Sequence, residues 1–199
     1  MTAETSAETL DACRRGDPVA LGAVLLRHAP GIERLLIRLL GPRADVEDLL
    51  QTTLMEAIRA FPRFQGKASV ATWLGRIAVH VAHQHLRRPD QRRARVRLEL
   101  VRDEAEPMHP APAPDRAVEA RRQLEKVYAH LDAIGARKRV AFILFAFEGR
   151  PVDEVAALTG ATRVVTKARI FWARRELVAR VAADPMLREL VDERREAQS

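Results

Sequence analysis

Apolar residues recur three and four positions apart along this chain, and this spacing constrains the fold more than any other feature. Ile32, Leu35, Leu36, Leu39 and Leu40 form one such stripe, which would lie along a single face of a helix with 3.6 residues per turn. A half-buried strand needs alternating apolar and polar residues instead, and the sequence lacks that alternation. The sequence therefore predicts an all-α protein.

Prolines, glycines and capping residues set the predicted boundaries. In the first half, helices are expected over 8–15, from Pro18 to about 28, from Pro30 to 40, over about 44–61, and from the cap Ser69 to 88. In the second half, they are expected over 115–134, 137–148 and 151–159, and from the cap Thr162 to about 183. Pro30 is interpreted as the start of a new helix, because proline has no N–H and is best tolerated in a first turn.

Four prolines, at positions 107, 110, 112 and 114, interrupt the pattern in the middle of the chain. So dense a cluster forms neither helix nor central strand and is typical of a semi-rigid linker. We expect two small helical domains, at 1–89 and 116–183, joined by a Pro-rich linker at 90–115 that holds them apart. Residues 184–199 are then a C-terminal tail.

Charge is distributed unevenly along the chain, whose formal net charge is +7. Residues 1–60 carry 7 basic and 9 acidic side chains. By contrast, residues 87–102 carry 7 basic and 2 acidic side chains, and residues 161–180 carry 6 basic and 1 acidic side chain. The two basic segments suggest a polyanionic partner, and the mildly acidic N-terminal part, residues 1–60, suggests a different partner. A merely solubilising surface is the alternative.

Several classes of function are disfavoured by composition. The one cysteine, Cys13, cannot form an internal disulfide or a Cys-based zinc site, and no uncharged apolar run approaches the length of a membrane span. Of His80, His83 and His85, only the first two share a helix face, and no acidic residue lies within a turn of them. We expect a cytoplasmic protein that is not an enzyme, has no cofactor or metal, and does not insert into membranes.

The strongest local pattern is a helix-turn-helix over 152–177, with Gly160 in the turn. The second helix should bury Thr166, Ile170, Ala173 and Leu177 and turn its basic residues outward, where they would enter a major groove. A plain antiparallel helix pair is the competing interpretation. In a second informative stretch, Trp73 lies on a helix that ends in arginines, and it would either stack on bases or pack in the core.

These segments resemble the extracytoplasmic-function sigma factors of bacterial RNA polymerase. Region two of that family is matched by Asp45-Val46-Glu47-Asp48-Leu49-Leu50-Gln51 and by the Phe-x-Gly-x-Ala-Ser-x-x-Thr-Trp-Leu run at 64–74. Region four is matched by the helix-turn-helix. The resemblance implies a specificity subunit whose partners are core RNA polymerase, promoter DNA and an anti-sigma factor.

The resemblance also implies roles for individual residues. Polymerase binding would fall to Asp45, Asp48, Leu49 and Gln51. The minus-ten element would be contacted by the loop residues Phe64, Gln65, Gly66, Lys67 and Ser69 and by Trp73, Arg76, His80, Arg87 and Arg88. The minus-thirty-five element would be contacted by Arg163, Val164, Lys167, Arg169 and Arg174.

The chain departs from the family pattern at a few positions. His80 and Gln84 stand where the family usually has polar Asn and Asp, and Val165 and Phe171 alter the recognition helix. Promoter preference therefore does not transfer from the family. The remaining alternatives are a stand-alone helix-turn-helix regulator, which should not bring down polymerase, and a helical adaptor, which should show no salt-dependent DNA affinity.

Overall fold

A computed structural model describes residues 6–41, 45–87, 114–185 and 187–188. These residues form α1 (Ala7–Arg14), α2 (Pro18–Leu40), α3 (Val46–Ala60), a 3-10 turn (Phe61–Arg63), α4 (Val70–Arg87), α5 (Pro114–Ala133), α6 (Ala136–Ala146), α7 (Val152–Thr159) and α8 (Arg163–Ala183). The all-α prediction is confirmed. Arg88, nearly all of the expected linker and most of the tail lie outside the described residues.

The helix starts follow the predicted capping residues. The Asp17 carboxylate accepts hydrogen bonds from the amides of Val19 and Ala20, at 2.9 and 3.1 Å. The Ser69 hydroxyl accepts from the Thr72 amide at 3.1 Å, and the Thr162 hydroxyl accepts from the amide three residues later at 3.3 Å. Each cap satisfies an amide that the first helical turn leaves without a partner.

Pro30 does not begin a helix, and this prediction was wrong. It lies inside α2, which continues over 23 residues from Pro18 to Leu40. A proline inside a helix leaves the carbonyl four residues earlier without its N–H donor. That residue is Leu26, whose side chain is 73% exposed, so water can reach this part of the helix. One long helix can then cross both the short α1 and the α3–α4 pair.

The first half of the chain is a bundle in which α2, α3 and α4 pack against one another. Its buried centre includes Leu36 and Leu39 of α2, Leu74 and Ala78 of α4, and Phe61 in the 3-10 turn. In the second half, α6 lies at the centre, against α7 and α8. Phe145 of α6 is 41% exposed, because only one face of the helix points inward, and Phe147, just after the helix, is 57% exposed.

The two halves are in contact, which differs from the expected separation by a stiff linker. Helix α4 packs against α6 and α7, and α2 packs against α6. Arg139 of α6 is 1% exposed and donates from Nε to the Leu39 carbonyl at 2.9 Å. Its guanidinium also pairs with Asp132 and lies 5.3 Å from the centre of the Tyr128 ring. Arg139 contributes to the net positive charge of the chain, but its side chain joins the two halves and is not available to a polyanion.

Two glycines allow the halves to approach closely. Gly41 follows α2 with φ +86° and ψ 177°, and a Cβ added there would lie 2.6 Å from Cδ1 of Tyr128. The Tyr128 hydroxyl donates to the Arg38 carbonyl at 2.8 Å, which holds the ring in place. Gly75 of α4 faces Leu158 of α7, and a Cβ on it would lie 3.3 Å from Leu158 Cδ2.

Candidate functional site

An open groove runs between α3 and α4 and contains every residue predicted to bind polymerase. Its volume is about 620 Å³, and Asp45, Asp48, Leu49 and Gln51 lie along it. Asp45, Asp48 and Gln51 are exposed, whereas Leu49 is half-buried and joins the core. Successive turns of α3 therefore present carboxylates and an amide beside an apolar edge, which suits a partner with both cations and apolar side chains.

The groove extends beyond the residues that the sequence singled out. Met55 and Arg59 of α3 line it, as do Gln84 and His85 of α4. Met55 is 44% exposed, and an exposed methionine is an adaptable contact for a protein partner. The i, i+4, i+7 spacing of Asp48, Thr52 and Met55 could have identified this continuation from the sequence.

The loop between the 3-10 turn and α4 is anchored from α1. Arg14 donates from Nε to the Phe64 carbonyl at 2.9 Å and pairs with Asp11 at 2.6 Å. Gln65, Gly66, Lys67 and Ser69 are exposed on this loop, as a base-contacting role would require. The anchoring role of Arg14 was not predicted, because no local pattern links residues 50 positions apart.

Phe64 differs from the other predicted loop residues, because its side chain is 6% exposed. It packs in an aromatic cluster with Phe61 and Trp73, with ring centres 5.5 and 5.0 Å away. Trp73 also meets Phe61 edge to face at 5.3 Å and is half-buried. A direct DNA contact by the Phe64 ring is therefore not available in this arrangement, and the ring supports the loop from below.

The outer face of α4 carries three predicted DNA contacts. Arg76, His80 and Arg87 are exposed along it. The Gln84 amide nitrogen donates to Nε2 of His80 at 2.6 Å, so the two residues that depart from the family pattern form one hydrogen-bonded pair. His85 is 7% exposed, because it lies on the core side of α4, where it also lines the α3–α4 groove.

Helix α8 follows the predicted amphipathic pattern of a recognition helix. Thr166, Ala173 and Leu177 are buried and Ile170 is half-buried, as expected. Val164, Lys167 and Arg174 are exposed. Arg163 is also exposed but pairs with both carboxylate oxygens of Asp153 in α7, at 3.1 and 2.8 Å. A DNA phosphate would have to compete with that carboxylate.

The same helix exposes aromatic side chains. Phe171 and Trp172 are 58% and 50% exposed and meet edge to face at 5.3 Å. The Arg175 guanidinium lies 5.7 Å from the Trp172 ring centre. These rings give α8 a partly apolar surface beside its cations.

Arg169 is the predicted DNA contact whose position differs most from expectation. It is half-buried and turns toward a cavity between the halves, where Arg137 of α6 and His80 and His83 of α4 also lie. Burial, with the charge of Arg137, lowers the pKa of the Arg169 guanidinium. Burial also lowers the pKa of His83, with contributions from Arg87, Arg137, His80 and Arg169. With the two halves in contact, which we call the closed arrangement, Arg169 thus points into the cavity and away from the exposed face of α8 that carries Lys167 and Arg174.

Within residues 6–41, 45–87 and 114–188, apart from residue 186, no three His, Cys, Asp or Glu side chains are grouped so that they could hold a metal ion. Across that same part of the chain, no helix combines the length and apolarity that crossing a bilayer requires.

Comparison with known proteins matches these surfaces to one family. Residues 24–93, which include the groove, the loop and α4, match the model of Sigma-70 region 2. The chain is 27% identical to the RNA polymerase sigma-H factor of Pseudomonas aeruginosa over 95% of its own length and 99% of that protein. It is 26% identical to the ECF RNA polymerase sigma-E factor of Salmonella typhimurium, over 88% of its own length and 92% of that protein.

A solved structure extends the similarity to the arrangement of the helices. The sigma factor RpoE of Bartonella quintana, in complex with the anti-sigma factor NepR, aligns with a TM-score of 0.54 at 25% identity. The alignment covers 82% of this chain and 97% of that one. The relatives thus match both halves of the chain over nearly their full lengths, and the chain carries a match to Sigma-70 region 2 and is similar along its length to extracytoplasmic-function sigma factors.

Proposed function

We propose that this sigma factor binds core RNA polymerase through the α3–α4 groove and contacts promoter DNA through the 65–69 loop, the outer face of α4 and helix α8. The observation that carries the proposal is the groove itself, in which all four expected polymerase contacts lie on one continuous surface. The exposed cations of α4 and α8 are not among the groove residues, so protein and nucleic acid need not compete for one surface. The chain then acts in the cytoplasm and has no catalytic step of its own.

Polymerase binding is tested by reversing one charge in the groove. Asp48→Arg should weaken capture of core polymerase at least tenfold, because a cation replaces a carboxylate that faces a complementary partner. Glu47→Arg is the matched control, since Glu47 is the preceding residue of α3 and is exposed but not among the groove residues. Run-off transcription and co-purification should fall together for Asp48→Arg only. Equal losses in the two variants would contradict the assignment.

Minus-thirty-five recognition is tested on α8 in the full-length protein bound to core polymerase. Lys167→Ala should weaken promoter binding and reduce the slope of log affinity against log salt by about one, as expected for one phosphate contact. Arg180→Ala is the control, because Arg180 is exposed near the end of the same helix. If both variants leave the salt slope unchanged, α8 does not contact DNA through Lys167.

Binding to both promoter elements requires the halves to separate. In the closed arrangement, Thr159 and Gly160 of the helix-turn-helix lie against the α4 face that carries His80. A duplex cannot occupy that face while the turn covers it. A partner that stabilises the closed arrangement would therefore inhibit the factor, and we expect an anti-sigma protein to act in this way. Energy transfer between dyes attached at exposed positions of α3 and α8, such as 47 and 180, should be weaker in the polymerase-bound state than in the free chain.

A further inference from the structure

The cavity between the two halves is a second candidate site, separate from the groove and from the exposed recognition face. Its volume is about 380 Å³, which falls in the range of about 300–1,000 Å³ that is typical of small-molecule sites. Helix α4 contributes His80 and His83 to its lining, α6 contributes Arg137 and α8 contributes Arg169. Any ligand bound there would touch both halves of the chain.

The charged and titratable groups that line this cavity are all cationic or able to become so. Among the described residues, neither Arg137 nor Arg169 forms an ion pair, and no carboxylate lines the cavity. Cations brought together under partial burial repel one another and lose hydration. The effect is visible in the lowered pKa of Arg169, which burial and then Arg137 account for. The closed arrangement therefore places unneutralised positive charge at its own interface.

His83, which lines the cavity, has an unused hydrogen-bonding atom. Nε2 of His83 is buried and has no hydrogen-bond partner within the described part of the chain. Buried polar atoms in native proteins nearly always have a partner, whether protein, water or ion. A neutral or protonated imidazole can donate from Nε2 to an anion, so this atom and the two guanidinium groups favour the same class of ligand.

We propose that this cavity binds a small diphosphate anion, which bridges Arg137 and Arg169 of the second half to His80 and His83 of the first. Guanidinium groups present paired N–H donors that match phosphate oxygens, and two of them suit two phosphoryl groups better than one. Val79 and Val140 complete the lining with apolar surface, which leaves room for an organic part attached to the diphosphate. The ligand is thus inorganic pyrophosphate or a nucleoside diphosphate.

Such a ligand holds the two halves together. It neutralises the cations that otherwise oppose closure, so it binds the closed arrangement more tightly than the open one and shifts the population toward it. A diphosphate would then inhibit promoter binding, because it favours the closed arrangement. This inference extends the proposed function, but the binding site itself does not depend on any polymerase or DNA contact.

The test is calorimetric titration of the full-length chain with inorganic pyrophosphate and with ADP, each at constant ionic strength. We expect saturable binding of pyrophosphate and a rise in Tm that grows with its concentration. Arg137→Gln and His83→Gln should each weaken binding at least tenfold. Arg122→Gln is the matched control, because Arg122 is exposed on α5 and is not among the cavity residues. Tighter binding of ADP than of pyrophosphate would identify the nucleoside diphosphate as the ligand class.

Three results would overturn the proposal. These are no binding of either anion at millimolar concentration, equal binding by the wild type and both cavity variants, or an equal loss in Arg122→Gln. Arg137→Lys keeps the positive charge but loses the paired N–H donors of the guanidinium group, so it should bind pyrophosphate more tightly than Arg137→Gln and less tightly than the wild type. This partial recovery would show that the loss in Arg137→Gln is not caused by misfolding. Promoter binding by polymerase that carries the His83→Gln variant, measured without nucleotides or added anion, should match the wild type, which separates failure of this site from failure of the proposed function.

Discussion

Gly41→Ala should destabilise the protein, because Gly41 meets two requirements that alanine cannot. Its φ of +86° and ψ of 177° lie in a region that is essentially limited to glycine, and holding another residue there costs about 1–3 kcal/mol. An added Cβ would also lie 2.6 and 2.8 Å from Cδ1 and Cγ of Tyr128, whereas carbon atoms in contact are about 3.5–4.0 Å apart.

The ring of Tyr128 must therefore move by roughly 1 Å to restore ordinary contact with the new methyl group. That displacement breaks or strains the 2.8 Å hydrogen bond from its hydroxyl to the Arg38 carbonyl, which contributes about 0.5–1.5 kcal/mol. Together the two effects give a loss of about 1.5–4.5 kcal/mol in the free energy of unfolding. In a chain of 199 residues, this lowers the Tm by about 3–18 °C.

Urea unfolding followed by circular dichroism measures this loss, and a double-mutant cycle with Tyr128→Ala separates its parts. Without the ring, Gly41→Ala should cost only the backbone strain of about 1–3 kcal/mol. Gly31→Ala is the control, because Gly31 lies within α2 and a Cβ there meets nothing within 4 Å; it should stabilise the protein by about 0.5–1 kcal/mol. Equal costs of Gly41→Ala with and without Tyr128 would refute the close approach of the halves at this point.

Two further predictions concern the buried Arg139 and the half-buried His28 and His83. Arg139→Ala should lower the free energy of unfolding by about 3 kcal/mol, since it leaves the Leu39 carbonyl and Asp132 without this cation; a urea midpoint equal to that of the wild type would contradict the role of Arg139. The second prediction concerns pH, because burial lowers the pKa of both His28 and His83 in the folded chain. The unfolded chain then binds more protons as the pH falls through about 6.5, so stability should be full above that pH and decline below it. The urea midpoint should fall between about pH 7.5 and 5.5, and the decline should be smaller in the His28→Gln, His83→Gln double variant than in the wild type.

The parts of the fold that depend on local chemistry could be predicted from the sequence. Helical periodicity gave the class of fold, and Asp17, Ser69 and Thr162 marked three helix starts, because a cap acts within one turn of its own backbone. Pro30 shows the limit of this reasoning. Its effect depends on what surrounds the carbonyl four residues earlier, which only the packed structure determines.

The contact between the halves could not be predicted, because a count of charges gives their number and not their placement. Arg139 and Arg169 both belong to the basic excess of the second half, yet one is buried against α2 and the other lines a cavity. Phe64 is a similar case, since its motif position suggested contact with DNA and its ring belongs to the core. For the two arginines the deciding neighbours are distant in sequence and carry no local signal. Phe64 packs on the nearby Phe61 and Trp73, but its motif does not state on which side of the loop the ring lies.

Gly75 has an evolutionary consequence. Its missing side chain lets Leu158 of the helix-turn-helix rest on α4, at the 3.3 Å limit of tolerable contact for an added Cβ. A larger residue there would push the two helices apart while leaving every surface for polymerase and promoter chemically intact. The resting activity of such a factor can thus rise through one small-to-large exchange, without any change in which genes it selects.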